Sequence, residues 1–139
     1  AQHLGYGVLV DLARMLREGE PISVAALALK KKSQRDAIDV ALRSLSLAGS
    51  PPEVLNCCGP ILEVREVVGR MAEIMELEPV YADEPGETAL ISCDEKARRL
   101  LGDYRDTPAE MIEAAARWVM RGGEYWDLPT KFGKADHRY

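Results

Sequence analysis

Apolar residues recur at helical spacing in several stretches of the chain, and short apolar runs lie between those stretches. Val8, Leu9, Leu12, Met15 and Leu16 share one stripe, which predicts a helix from about Gly7 to Glu18, stopped by Gly19 and Pro21. Ile22 to Leu29 is a nearly continuous apolar run, as in a strand covered on both faces, although its alanines also suit a helix. Ser33 to Asp36 resembles a weak capping box opening a second helix, whose buried face would carry Ile38, Ala41, Leu42 and Leu45. Gly49-Ser50-Pro51-Pro52 ends that helix. Glu53 to Cys57 reads as a short strand closed by Gly59-Pro60. Val64, Val67, Val68, Met71, Ile74 and Met75 then mark the third helix, the cleanest periodicity in the chain.

Pro79 to Ala82 and Thr88 to Ile91 are short strand candidates on either side of the turn Asp83-Glu84-Pro85-Gly86. Ser92-Cys93-Asp94-Glu95 is a better capping box, starting a short helix that ends at Gly102. Thr107-Pro108-Ala109-Glu110 is stronger again, with Thr as N-cap, Pro at the first helical position and Glu reaching back. The helix it opens would bury Met111, Ile112, Ala115, Trp118 and Val119 and stop at Gly122-Gly123. The pattern predicts an α/β fold of about five helices with three or four short strands. It forms one unit over residues 1–123, followed by an extended tail over 124–139. Tyr125 and Trp126, past the last helix, are expected to pin that tail or to meet a partner. In a larger protein some of these short strands would extend a parallel sheet; in this chain they pair among themselves, with a second copy, or not at all.

Composition narrows the function classes. The chain has 139 residues, enough for one domain and too few for a nucleotide-binding domain plus a substrate domain. A net charge of -5 argues against non-specific nucleic-acid binding. No apolar run approaches the roughly 20 residues of a membrane span, and no signal segment opens the chain. Ala1 in place of Met fits a processed product or a fragment, as well as simple loss of an initiator Met. Cys57, Cys58 and Cys93 make no disulfide framework, which points to a reducing, cytoplasmic setting. Zinc is not expected, because Cys-x-x-Cys spacing is missing and His3 and His137 lie at opposite ends.

The order of the segments carries a resemblance. Tyr6 to Asp11 leading into a helix, the helix Asp36-Ala37-Ile38-Asp39-Val40-Ala41-Leu42, and Pro52 to Pro60 followed by a helix each have a counterpart in one family. So do Asp94 to Gly102 and the closing helix with Arg117-Trp118-Val119. Together they resemble the C-terminal, substrate-binding portion of NAD-dependent epimerases and dehydratases, the extended short-chain dehydrogenase/reductase family. Two places depart from it. Gly59-Pro60-Ile61-Leu62-Glu63 is one residue short, with Glu where a Ser N-cap is usual. Lys30-Lys31-Lys32-Ser33-Gln34-Arg35 replaces an apolar strand, and a cationic run resists burial in a sheet.

The resemblance implies NAD or NADP for a complete enzyme, bound on a Gly-rich turn at a helix start, and a catalytic Tyr with a Lys four residues later. Gly5-Tyr6-Gly7 has neither a preceding strand nor a third glycine, and Tyr6, Tyr81, Tyr104 and Tyr125 lack that Lys. This chain alone is therefore expected to bind no cofactor and to catalyse no hydride transfer. Lys30, Lys31, Lys32 and Arg35, ahead of a helix N-terminus, suit the diphosphate of a nucleotide sugar; a solvated loop is the plainer reading. Cys57 and Cys58 read as structural, and Arg98 and Arg99 as partners of Asp94 and Glu95 on their own helix. Two functions fit. One is the substrate-recognition part of a sugar or nucleotide-sugar epimerase or dehydratase. The other is a stand-alone, non-catalytic interaction module derived from it. Either leaves apolar surface uncovered, which predicts a homo-oligomer or docking to a nucleotide-binding half.

Overall fold

The computed structural model describes residues 4–89, 91–128 and 130. Helix α1 (Val8–Glu18) ends on Gly19, whose left-handed backbone lets its N–H and that of Glu20 cap the carbonyls of Leu16 and Met15. Strand β1 (Ala28–Lys30) pairs antiparallel with β2 (Ile61–Glu63), Ala28 opposite Glu63 and Lys30 opposite Ile61. Between them lie α2 (Gln34–Ser44) and a short 3-10 helix, Leu45–Leu47. Helix α3 (Val64–Met75) follows β2 directly, α4 spans Glu95–Leu101 and α5 Pro108–Met120.

The core is a packing of α1, α3 and α5. Leu12, Ala13 and Leu16 of α1, Val64, Val67, Val68 and Met71 of α3, and Ala115, Ala116 and Val119 of α5 belong to one buried cluster, with Leu62 of β2 beside them. Helix α1 packs most extensively on α5, so the two ends of the described chain meet. The tail reinforces this: the Trp126 N–H donates to the Gly5 carbonyl at 2.9 Å, and the Tyr125 ring lies 4.3 Å from the Arg14 guanidinium. The tail is thus pinned to the domain at Tyr125 and Trp126. Trp118 packs against the core but stays half-buried, with Gly123 pressed on its ring.

Helices α1, α3 and α5 form where periodicity places them, and Thr107 and Glu110 make the full capping box of α5. Several expectations fail. Ile38 and Leu42 of α2 and Leu45 of the 3-10 helix after it are exposed, and Asp36 is the buried residue of α2. Glu53 to Cys57 forms no strand, because no backbone hydrogen bond among the described residues pairs with it. Ile22 to Leu29 is a strand only at its end. Its first half makes a single parallel bridge, Ile22 to Tyr81, so Pro79 to Ala82 is reduced to that bridge as well. Val24 instead takes the Asp83 carboxylate on its N–H, at 2.6 Å. Thr88, Ala89 and Ile91 are not in a strand, and Leu90 lies outside the described residues.

The polycationic run is also only partly solvated. Lys30 closes β1 and is largely buried, and its desolvation is offset by an ion pair with Asp94 at 3.1 Å. Ser92 does not cap α4. Asp94 holds the N-cap position with no side-chain capping bond, because its carboxylate is committed elsewhere. At the shortened turn, Glu63 precedes α3 without a side-chain cap.

Candidate functional site

Four segments converge on the Asp94 carboxylate. Lys30 Nζ at the end of β1 donates to Oδ1 at 3.1 Å. The Tyr104 hydroxyl donates to Oδ2 at 2.7 Å, and the backbone N–H of Gly59 donates to the same oxygen at 3.3 Å. Arg98, one turn along α4, adds an ion pair at 3.5 Å. The turn reaches Asp94 because Gly59 has φ 95°. A Cβ there would lie 2.2 Å from the Lys31 carbonyl oxygen, so only glycine fits.

Burial is the largest single influence on Asp94 and pushes its carboxyl up. The Tyr104 and Lys30 hydrogen bonds, the Lys30 charge and the Gly59 N–H outweigh it together, and the group sits at about 2. Burial also drives the Tyr104 phenol up, and the hydrogen bond to Asp94 adds to the effect, bringing it to about 12. Near neutral pH Asp94 is therefore charged and Tyr104 is neutral. Neither exchanges protons in the range where an acid–base catalyst works.

Above this node is an open cleft of about 450 Å³, lined in part by Lys30, Asp94, Arg98, Asp103, Tyr104 and Thr107. Its wall mixes hydroxyls, cations and carboxylates, a surface suited to holding a polyhydroxylated ligand by many weak hydrogen bonds. A second node supports its far side. The buried Asp36 carboxylate accepts the N–H groups of Arg105 and Asp106 at 2.9 and 3.1 Å, fixing the loop into α5.

The four cations singled out by sequence do not converge on one point. Lys30 is spent on Asp94. Lys32 donates to the Cys57 carbonyl. Arg35 keeps an exposed guanidinium paired with Asp106, and Lys31 is exposed while its backbone N–H bonds the Pro60 carbonyl at 3.3 Å. Sequence spacing assigns Asp94 only local roles, in a capping pattern and as a helical partner of Arg98, and the second of these is present at 3.5 Å; nothing in the spacing points to Tyr104 as its partner. Among the described residues no group of three or more His, Cys, Asp or Glu is placed to hold a metal ion, and no helix is long and apolar enough to cross a membrane.

No protein-family model matches the chain, and no curated protein matches it. Solved structures do. MoeE5 in complex with UDP-glucose and NAD superposes at a TM-score of 0.65 with 22% identity, over 82% of this chain and 41% of that one. UDP-glucuronic acid 4-epimerase from Bacillus cereus, in complex with NAD, gives 0.64 at 16% identity, over 79% and 37%. A UDP-galactose 4-epimerase gives 0.60 at 21%, over 88% and 43%. The chain thus spans about two-fifths of the length of these structures and has the α/β fold of that part of them.

Proposed function

We propose that this chain is the substrate-recognition part of an NAD(P)-dependent sugar or nucleotide-sugar epimerase or dehydratase, and that it is not catalytic by itself. The observation that carries the reading is the superposition on MoeE5, a protein solved with UDP-glucose and NAD, of which the chain matches 41%. The sequence agrees, having neither a Gly-rich nucleotide turn nor a Tyr-x-x-x-Lys pair. Hydride and proton transfer would be done by residues outside this chain, with NAD(P) held there.

In this reading the cleft above Asp94 takes the sugar, and Lys31 and Arg35, whose charged ends reach solvent, contact the diphosphate. Lys30 and Lys32 act indirectly, by fixing the backbone that presents them. The free state of Cys57, Cys58 and Cys93 supports a reducing, cytoplasmic setting.

Calorimetric titration tests this directly. UDP-glucose is expected to bind the isolated chain, with affinity reduced about tenfold by Lys31→Ala with Arg35→Ala, whereas NAD gives no heat. Micromolar NAD binding would overturn the claim that the cofactor is held elsewhere. The exposed apolar face of α2 favours a second reading, a non-catalytic interaction module that associates with itself or another protein. Failure of UDP-glucose to bind, together with a dimeric mass in sedimentation, would favour it.

A further inference from the structure

The wall of the cleft above Asp94 holds one set of ion pairs that joins no distant parts of the fold. Arg98 of α4 has its Nε 3.5 Å from Asp94 and its Nη1 3.6 Å from Asp103, and all three residues line the cleft. Both distances exceed the roughly 2.7–2.9 Å of a charge-assisted hydrogen bond. Among the described residues, the Arg98 guanidinium donates no hydrogen bond and the Asp103 carboxylate accepts none. The Asp103 side chain is 82% exposed and that of Arg98 47%. The node itself is held by Lys30 and Tyr104, at 3.1 and 2.7 Å from Asp94. Arg98 and Asp103 are thus matched in charge but open in hydrogen bonding.

Charge on this wall is already balanced. Lys30 and Arg98 stand against Asp94 and Asp103, and Asp106 is paired with Arg35. A neutral ligand leaves that balance intact. An acidic one adds a carboxylate to those of Asp94, Asp103 and Asp106, and no unpaired cation lines the cleft to receive it. Like charges brought close without a counter-charge oppose binding.

Hydrogen-bonding capacity points the same way. A hydroxyl both donates and accepts, whereas an ionised carboxylate only accepts. Two adjacent sugar hydroxyls can take an Arg98 N–H on one oxygen and donate from the other to Asp103. A ligand carboxylate can serve Arg98 only by lying against Asp103. Arg35, assigned above to the diphosphate, is paired with Asp106 of the same wall, so a diphosphate held there sets its sugar beside the cleft.

We propose that Arg98 and Asp103 are the specificity pair of this cleft, taking a vicinal diol of a neutral hexose and turning away a hexuronate. The proposal rests on the substrate-part reading above. It gives Arg98 a role beyond its own helix and gives Asp103 a role where the fold requires none.

Calorimetric titration with UDP-glucose, UDP-glucuronic acid and UDP alone tests it. The two sugar nucleotides differ in a single group, CH2OH against a carboxylate. The chain is expected to bind UDP-glucose about tenfold or more tightly than either UDP-glucuronic acid or UDP. Asp103→Asn keeps an acceptor and removes the charge. It should narrow the preference for UDP-glucose over UDP-glucuronic acid about fivefold or more, almost entirely by tightening the acidic ligand. Arg98→Gln should weaken UDP-glucose about tenfold. Both side chains reach solvent, and an unchanged melting temperature confirms that each variant is folded. UDP-glucuronic acid bound as tightly as UDP-glucose overturns the proposal and leaves the functional reading standing. So does a preference that Asp103→Asn leaves unchanged, or UDP bound as tightly as UDP-glucose. Failure of all three ligands to bind defeats the functional reading, and the specificity pair falls with it.

Discussion

Replacing Asp94 by asparagine keeps the shape of the central node and removes the charge at which its segments meet. Holding this carboxyl at about 2 rather than 3.8 is worth roughly 2.5 kcal/mol at pH 7, each tenfold in proton affinity counting about 1.4 kcal/mol. The substitution also strands Lys30, whose side chain is only 14% exposed, without its counter-charge. The total loss at pH 7 is therefore about 3–5 kcal/mol, a large share of the roughly 5–15 kcal/mol by which such domains are stable. The folded carboxyl is the stronger acid, so its contribution is complete above the unfolded value of 3.8 and fades as pH falls toward 2. About half of it remains at pH 3 and little at pH 2. Urea unfolding followed by helical circular dichroism, at pH 7 and pH 3, measures both quantities. The gap between wild type and Asp94→Asn should narrow by about 1 kcal/mol on acidification. A loss under about 1 kcal/mol at pH 7, or a gap that does not narrow, would refute the reasoning.

Three further outcomes are expected. The Tyr104 phenol should titrate at about 12 in an ultraviolet absorbance titration. Its stabilising effect is complete below pH 10 and lost as pH rises through about 12, and Tyr104→Phe costs about 1.5–3 kcal/mol at pH 7. Thr107→Ala removes the acceptor for the Glu110 N–H and one half of the capping box, lowering stability by about 1 kcal/mol in thermal or urea unfolding. Asp36→Ala leaves the Arg105 and Asp106 N–H groups without their acceptor. It costs about 3 kcal/mol, and Asp36→Asn restores part of that because its amide oxygen still accepts.

What could be read from the sequence follows a physical division. Periodicity marks the apolar side of α1, α3 and α5, and for those helices the chain itself supplies the cover, so those faces pack into the core, with Trp118 of α5 only half-buried. For α2 and for Glu53 to Cys57 the same kind of apolar signal is present, but no element among the described residues covers Ile38 and Leu42 or pairs with the strand candidate. Ile38 and Leu42 look like core residues and stand in solvent. Short-range chemistry was legible where both partners are close in sequence, as in Thr107 and Glu110. It is illegible where a long-range partner competes: Asp94 stands in a capping-box pattern, yet its carboxylate serves Lys30, 64 residues away. The charge of Lys30 argues against a place in a sheet, and spacing alone does not locate the acid that compensates it.

The pairing of α1 with α5 bears on how the chain is made. Synthesis delivers α1 first and α5 last, and the apolar stripe of α1 has its most extensive packing partner only after Met120 has left the ribosome. At about 5–20 residues per second, Leu12 and Leu16 wait about 5–20 s for the part of their cover that α5 supplies. Helix α3 gives α1 an earlier, smaller contact. A nascent chain stalled before Pro108 should therefore be a client for chaperones that bind short apolar helices, whereas one released after Met120 should not.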